Sequence, residues 1–166
     1  AIASAGIPSI IIDFEIDTEN YTTRVADEVG YAGVIQGEFL LKWLEEKPDR
    51  VANVGYFVGS YEAESAMPRM TDFYKAIEGN SKVKKLAEAE AQWKADVAMS
   101  MTEDWLQTHP EMNVFACMND EMAIGCIQAL KAAGKNMEDV VVMGVDGTTV
   151  GIEHIKAGEL DCTAAR

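Results

Sequence analysis

The stretch HPEMNVFACMNDEMAIGCIQALKAAG (109–134), with the VVVMGVDGT that follows it (140–148), decides the fold. Val114 to Met118 is a short, uninterrupted apolar run, as expected of a parallel strand covered on both faces. Glu121 to Ala133 then places Ala123, Cys126, Ile127 and Leu130 at helical spacing, with Asp120 read as the N-cap and Gly134 as the C-terminal stop. Val140 to Val145 is a second apolar strand. Strand, helix and strand in this order make a βαβ unit.

The same alternation extends in both directions. Upstream, Lys94 to Leu106 carries Val97, Met101 and Trp105 on one face and ends at His109-Pro110. Before it come a partly polar strand, Val83 to Ala91, and a helix, Ser65 to Ile77. Val51 to Val58 is a strong strand. Tyr31 to Lys47 sets Ile35, Phe39 and Trp43 beside Gln36, Leu40 and Leu44 in an amphipathic helix stopped by Pro48. Ser9 to Phe14 reads as a first strand, and Glu15 to Arg24 as a polar stretch without periodicity. Downstream, Thr149 to Lys156 is a short helix closed by Gly158, and Leu160 to Ala164 a last strand. The fold class is α/β, a doubly wound parallel sheet.

Composition narrows the function. The 166 residues, the size of one compact domain, hold 14 Lys and Arg against 28 Asp and Glu, a net charge of −14. Such acidity argues against a nucleic-acid or anionic-membrane surface, which needs clustered cations. No apolar run approaches the roughly 20 residues of a membrane-spanning helix. Cys117, Cys126 and Cys162 lack metal-ligand spacing and sit among apolar neighbours, so they read as small buried hydrophobes of undetermined redox state. The sequence carries no G-x-S-x-G elbow, phosphate-binding loop, G-x-G-x-x-G after a strand or H-E-x-x-H. An enzyme is not expected, nor is a metal or a cofactor.

Ligands of open α/β sheets bind beyond the carboxyl ends of the strands. At those ends lie Asp13, Asn119 and Asp146, with Trp93 just past the polar strand, Arg69 in the first turn of the helix that follows Val51 to Val58 and Arg166 at the end. Singly, an Asp or Asn there is a common cap or turn residue. Together, carboxylates, an amide, guanidinium forks and an indole suit a neutral polyol. The charged groups bond its hydroxyls and the indole covers a ring's C–H face.

The phrases already quoted, followed by IKAGELDCTAA (155–165), resemble the periplasmic sugar-binding proteins of the ribose- and galactose-binding type. AGIPSIIID (5–13), GEFLLKWL (37–44) and ESAMPRMTDF (64–73) fit in the same order. That family has two Rossmann-like lobes joined by a hinge, with one ligand clamped between them. The resemblance implies that residues 1–27 are a remnant of an N-terminal lobe ending in the first hinge crossing at Ala26-Asp27. Residues 28–162 are then the C-terminal lobe and 163–166 the second crossing. It also implies ligand contacts from Asp13, Arg69, Trp93, Asn119 and Asp146. Phe14 stands where ribose-type members carry an Arg, and Arg166 where many carry a Gln or Asn. Trp93 in place of a Phe widens the stacking face, which suits a pyranose or cyclitol. On this reading the chain is part of a longer protein, and residues 6–13 are a strand without its sheet, left to fray, dock or pair with another chain.

The implied function is extracytoplasmic capture of a sugar, polyol or cyclitol for an ABC importer, by lobe closure. Its partners are the small molecule and a membrane permease, with no nucleic acid. Its place is the periplasm or cell surface, as a soluble protein or a lipoprotein, and the full-length protein is a monomer. The sugar-responsive domains of LacI-type repressors look similar, and an effector-binding domain of that kind stays open as the alternative.

Overall fold

The computed structural model describes residues 2–12, 17–25, 30–46 and 48–165. Two sheets are present among them. The larger has five parallel strands: β3 (Ala52–Val58), β4 (Val83–Glu90), β5 (Val114–Cys117), β6 (Val141–Asp146) and β7 (Cys162–Ala165). Their spatial order is β4-β3-β5-β6-β7. The central strands are apolar along nearly their whole length, and β5 is buried at every residue. Only a strand covered on both faces can be so, and helices supply the cover. The edge strands are more polar, and Lys84 and Lys85 stand exposed on β4. Charges on an open edge discourage pairing with another chain.

Among the described residues five α-helices connect or precede the strands: α1 (Tyr31–Glu46), α2 (Ala66–Ala76), α3 (Ala95–Thr108), α4 (Asp120–Ala132) and α5 (Thr149–Lys156). Helix α1 packs on α2, and α4 packs on α3 and α5. Right-handed crossovers require this split, because the chain runs outward from β3 to β4 and then back across to β5. Close approach is built into the sequence. A Cβ at Gly33 of α1 would stand 2.0 Å from the Arg69 carbonyl oxygen of α2, and one at Gly125 of α4 would stand 2.1 Å from that of Ala95. The core between the layers is contiguous, with Tyr56, Phe57, Phe73, Phe115 and Leu40 all fully buried. Gln36, buried on α1, donates its amide to the carbonyls of Cys117 at 2.8 Å and Gly144 at 3.1 Å, bracing the ends of β5 and β6.

Each element expected from Tyr31 onward is present, with ends shifted by a few residues. Two expectations require correction. First, the apolar run at Ile10 is not a strand without its sheet. β1 (Ile10–Ile12) pairs in parallel with β2 (Thr23–Val25), a strand that overlaps the end of the polar stretch without periodicity, Glu15 to Arg24. Second, Asp120 is not the N-cap of α4. That position belongs to Asn119, whose side chain accepts from the Met122 amide at 2.9 Å, and Asp120 is the first residue of the helix. At the other end Gly134, at φ 69°, closes a Schellman turn with Gly134 and Lys135 amides bonded to the carbonyls of Lys131 and Leu130.

All three cysteines are free thiols, with Cys117 and Cys126 buried and their sulfurs 3.6 Å apart. Burial and the neighbouring thiol push Cys117 well above the usual thiol range, and burial pushes Cys162 up to about 11. Thiolate is the reactive form. Native protein treated with iodoacetamide at pH 8 should therefore keep these thiols unmodified, and denaturant should release all three. Rapid native alkylation of Cys117 or Cys126, read by mass spectrometry, would contradict this burial.

Candidate functional site

The strand order reverses between β3 and β5, so the segments that leave their carboxyl ends run to opposite sides and make a topological switch point there. Arg69 reaches it from the first turn of α2 and is 97% buried, since only 3% of it is exposed. Its Nη1 donates to the Met118 carbonyl at 2.7 Å, across the reversal point. An arginine so placed is not a solvated helix residue. Its guanidinium carbon also lies 6.0 Å from the centre of the Trp93 ring.

Trp93 follows β4 in a turn where both Gln92 (φ 54°) and Trp93 (φ 61°) are left-handed. Such backbone is uncommon for residues other than Gly, Asn and Asp, and it is held here by two bonds. The Ala91 amide donates to Val58 at 2.7 Å and the Lys94 amide to Ala91 at 3.0 Å. The indole lies directly on Gly59, where a Cβ would stand 2.2 Å from the ring. Only glycine permits that contact, and the ring stays half-buried with the rest of its surface toward solvent.

Asn119 closes the group. While its Oδ1 caps α4, its Nδ2 donates to the Trp93 carbonyl at 3.3 Å. An amide offers two donors and two lone pairs, so one of each remains for a ligand. One side chain thus caps α4 and ties it to the Trp93 turn. Asp146 ends β6 one strand further along, exposed and at φ 111°. Arg69, Trp93 and Asn119 are thus brought together, with Asp146 beside them on the same edge of the sheet. Asp13, Phe14 and Arg166 lie outside the described residues, as does the Ala26-Asp27 crossing.

Sequence reasoning missed the residues that hold this group in place. Gly59 follows the apolar run of β3 directly, and that position was its only signal. Asp120, which is buried, Thr148 and Thr163 form a polar network next to the loop that follows Asp146, joined by contacts 28 and 43 residues apart in the chain. Among the described residues no cluster of three or more His, Cys, Asp or Glu could hold a metal ion, and no helix is long and apolar enough to cross a membrane.

Comparison with known proteins identifies the family of this fold. A Rhizobium meliloti protein named for rhizopine binding is 32% identical over 166 residues, covering 96% of this chain and 52% of that protein. The ribose import binding protein of Salmonella typhimurium is 30% identical over 162 residues, covering 98% of this chain and 52% of its own. Among solved structures, an ABC transporter solute-binding protein of Bacillus halodurans with bound myo-inositol superposes with a TM-score of 0.82 at 30% identity. That match covers 96% of this chain and 54% of the other. The chain spans about half the length of the curated relatives it matches. These relatives are binding proteins rather than enzymes. A family profile described as "periplasmic binding protein domain" matches residues 1–166, and the chain belongs to that family.

Proposed function

We propose that the protein captures a sugar, polyol or cyclitol outside the cytoplasm and presents it to an ABC importer. The observation that carries this reading is the convergence of Arg69, Trp93 and Asn119 at the carboxyl ends of β3 and β5, where the strand order reverses, with Asp146 alongside. The indole stacks on the ring of the ligand. Arg69 and Asn119 donate to its hydroxyls, and the Asp146 carboxylate accepts from them. Residues 28–162 form the C-terminal lobe, residues 1–27 belong to the opposite lobe, and 163–166 lead into the hinge. Asp13 and Phe14 then face the ligand from across the cleft, and Arg166 meets it at the hinge. The full-length protein is a monomer that closes on its ligand, and the permease reads the closed form. Ligand shifts that equilibrium only through contacts it makes better in the closed state.

Relatives named for ribose import and D-apiose import support the importer reading over the repressor one. A thermal-shift panel of aldoses, polyols and inositols on the full-length protein tests it, because a ligand that binds only the native state raises the melting temperature. No stabilisation by any member would overturn the reading.

Fluorescence gives a second test. Of the three tryptophans, Trp43 packs in the core under Arg50 and Trp105 packs on Phe57, so Trp93 should carry the ligand response. Trp93→Phe should abolish most of the ligand-induced change in emission. A response that survives in this variant places Trp93 outside the cleft.

A further inference from the structure

Asp120 has no exposed surface, yet its carboxylate is not used to cap a helix. Asn119 caps α4 and the Thr148 hydroxyl caps α5, accepting from the Gly151 amide at 3.0 Å. The carboxylate instead gathers the loop that carries Asp146. Its Oδ2 accepts from the Thr148 amide and from the Thr148 hydroxyl, each at 2.8 Å. Its Oδ1 accepts from the Thr163 hydroxyl of β7 at 2.6 Å, and that hydroxyl accepts in turn from the Gly147 amide at 3.0 Å. Both residues that follow Asp146 are therefore tied to one buried group.

Space has been cleared for it. A Cβ at Gly144 would stand 2.3 Å from Oδ1, and one at Gly151 would stand 2.3 Å from Oδ2. The glycines of VVMGVDGTTVG thus form a cradle around the carboxylate of a different helix. Burying so polar a group is costly even when it is fully bonded, and an apolar side chain would fill the space at lower cost. What an apolar side chain could not supply is direction. Asp146 sits at φ 111°, a conformation that persists only where the surroundings over-determine it.

We propose that Asp120 is a positioning residue for the ligand site. Its buried carboxylate fixes Asp146 relative to Asn119, its own neighbour in the chain, and couples both to β7 through Thr163. The proposal rests on the reading of Asp146 as a ligand contact.

Asp120→Ala and Thr163→Val in the full-length protein test it, the second removing a single hydroxyl if the first fails to fold. Hydrogen exchange needs no ligand. The Gly147 amide should exchange about tenfold faster in Thr163→Val, with the central strands unchanged. Calorimetry with myo-inositol and D-ribose as probes reads the second arm. Affinity for the probe that binds should fall by about tenfold or more in Thr163→Val. Adding Thr163→Val to Asp146→Ala should cost little more than Asp146→Ala alone, whereas adding it to Arg69→Ala should cost its full separate effect. Unchanged Gly147 exchange, or losses that simply add with Asp146→Ala, would overturn the proposal. Unchanged affinity in Asp146→Ala alone would instead overturn the ligand-contact reading, and the exchange result would still decide whether Asp120 holds the loop.

Discussion

Asp146→Ala should weaken ligand binding by the full-length protein by about 2–4 kcal/mol, because a ligand hydroxyl loses a charged acceptor inside a closed cleft. That is roughly a thirty- to thousand-fold rise in the dissociation constant, read directly by titration calorimetry. Little else should change. The side chain is exposed when no ligand covers it, and the β6–β7 register runs through backbone atoms. A large fall in melting temperature would show that the substitution damages the fold rather than the contact. An unchanged dissociation constant would remove Asp146 from the site.

Gly33→Ala should be nearly as damaging by a different route. A Cβ there meets the Arg69 carbonyl oxygen at 2.0 Å and the Phe73 nitrogen at 2.8 Å. Both are backbone atoms of α2, so no side chain can swing aside and the two helices must separate. Overpacking of this kind costs about 1–3 kcal/mol, and the rigid neighbours put it at the upper end. The melting temperature should drop by about 2–4 °C for each kcal/mol lost. Because the atom struck belongs to Arg69 itself, affinity should fall together with stability. Wild-type values for both in the variant would mean that α1 and α2 tolerate a wider spacing than the packing implies.

These two residues differ in how plainly the sequence announces them. Asp146 follows an apolar strand and precedes Gly147, so its place at a carboxyl end was legible. The layered fold was legible for the same reason. Val51 to Val58 and Val140 to Val145 have the unbroken apolar character that only a doubly covered strand needs. β2 lacked that signal, because Thr23–Val25 is three residues long, partly exposed and paired outside the main sheet.

The choice between Asn119 and Asp120 as cap could not be made from the sequence either. Both residues are good cappers, and the decision falls to Thr148 and Thr163, which reach Asp120 only after folding. Arg69 was legible as a residue of interest, yet its burial was not. A guanidinium in a first helical turn is normally solvated, and only the crossing from β4 back to β5 encloses it. Local pattern located the elements and the strand ends. Long-range contacts decided which polar groups gather at the strand ends and which brace them.

The backbone angle at residue 146 carries an evolutionary consequence. Glycine is the natural occupant of φ 111°, and an aspartate held there costs on the order of 1–3 kcal/mol, out of a typical domain stability of about 5–15 kcal/mol. Drift toward glycine at this position would strengthen the fold while removing the acceptor proposed for the ligand. On the proposed function, selection for folding and selection for capture therefore pull residue 146 in opposite directions. Its identity should track whether a descendant of this chain still binds, even where every strand and helix around it is kept.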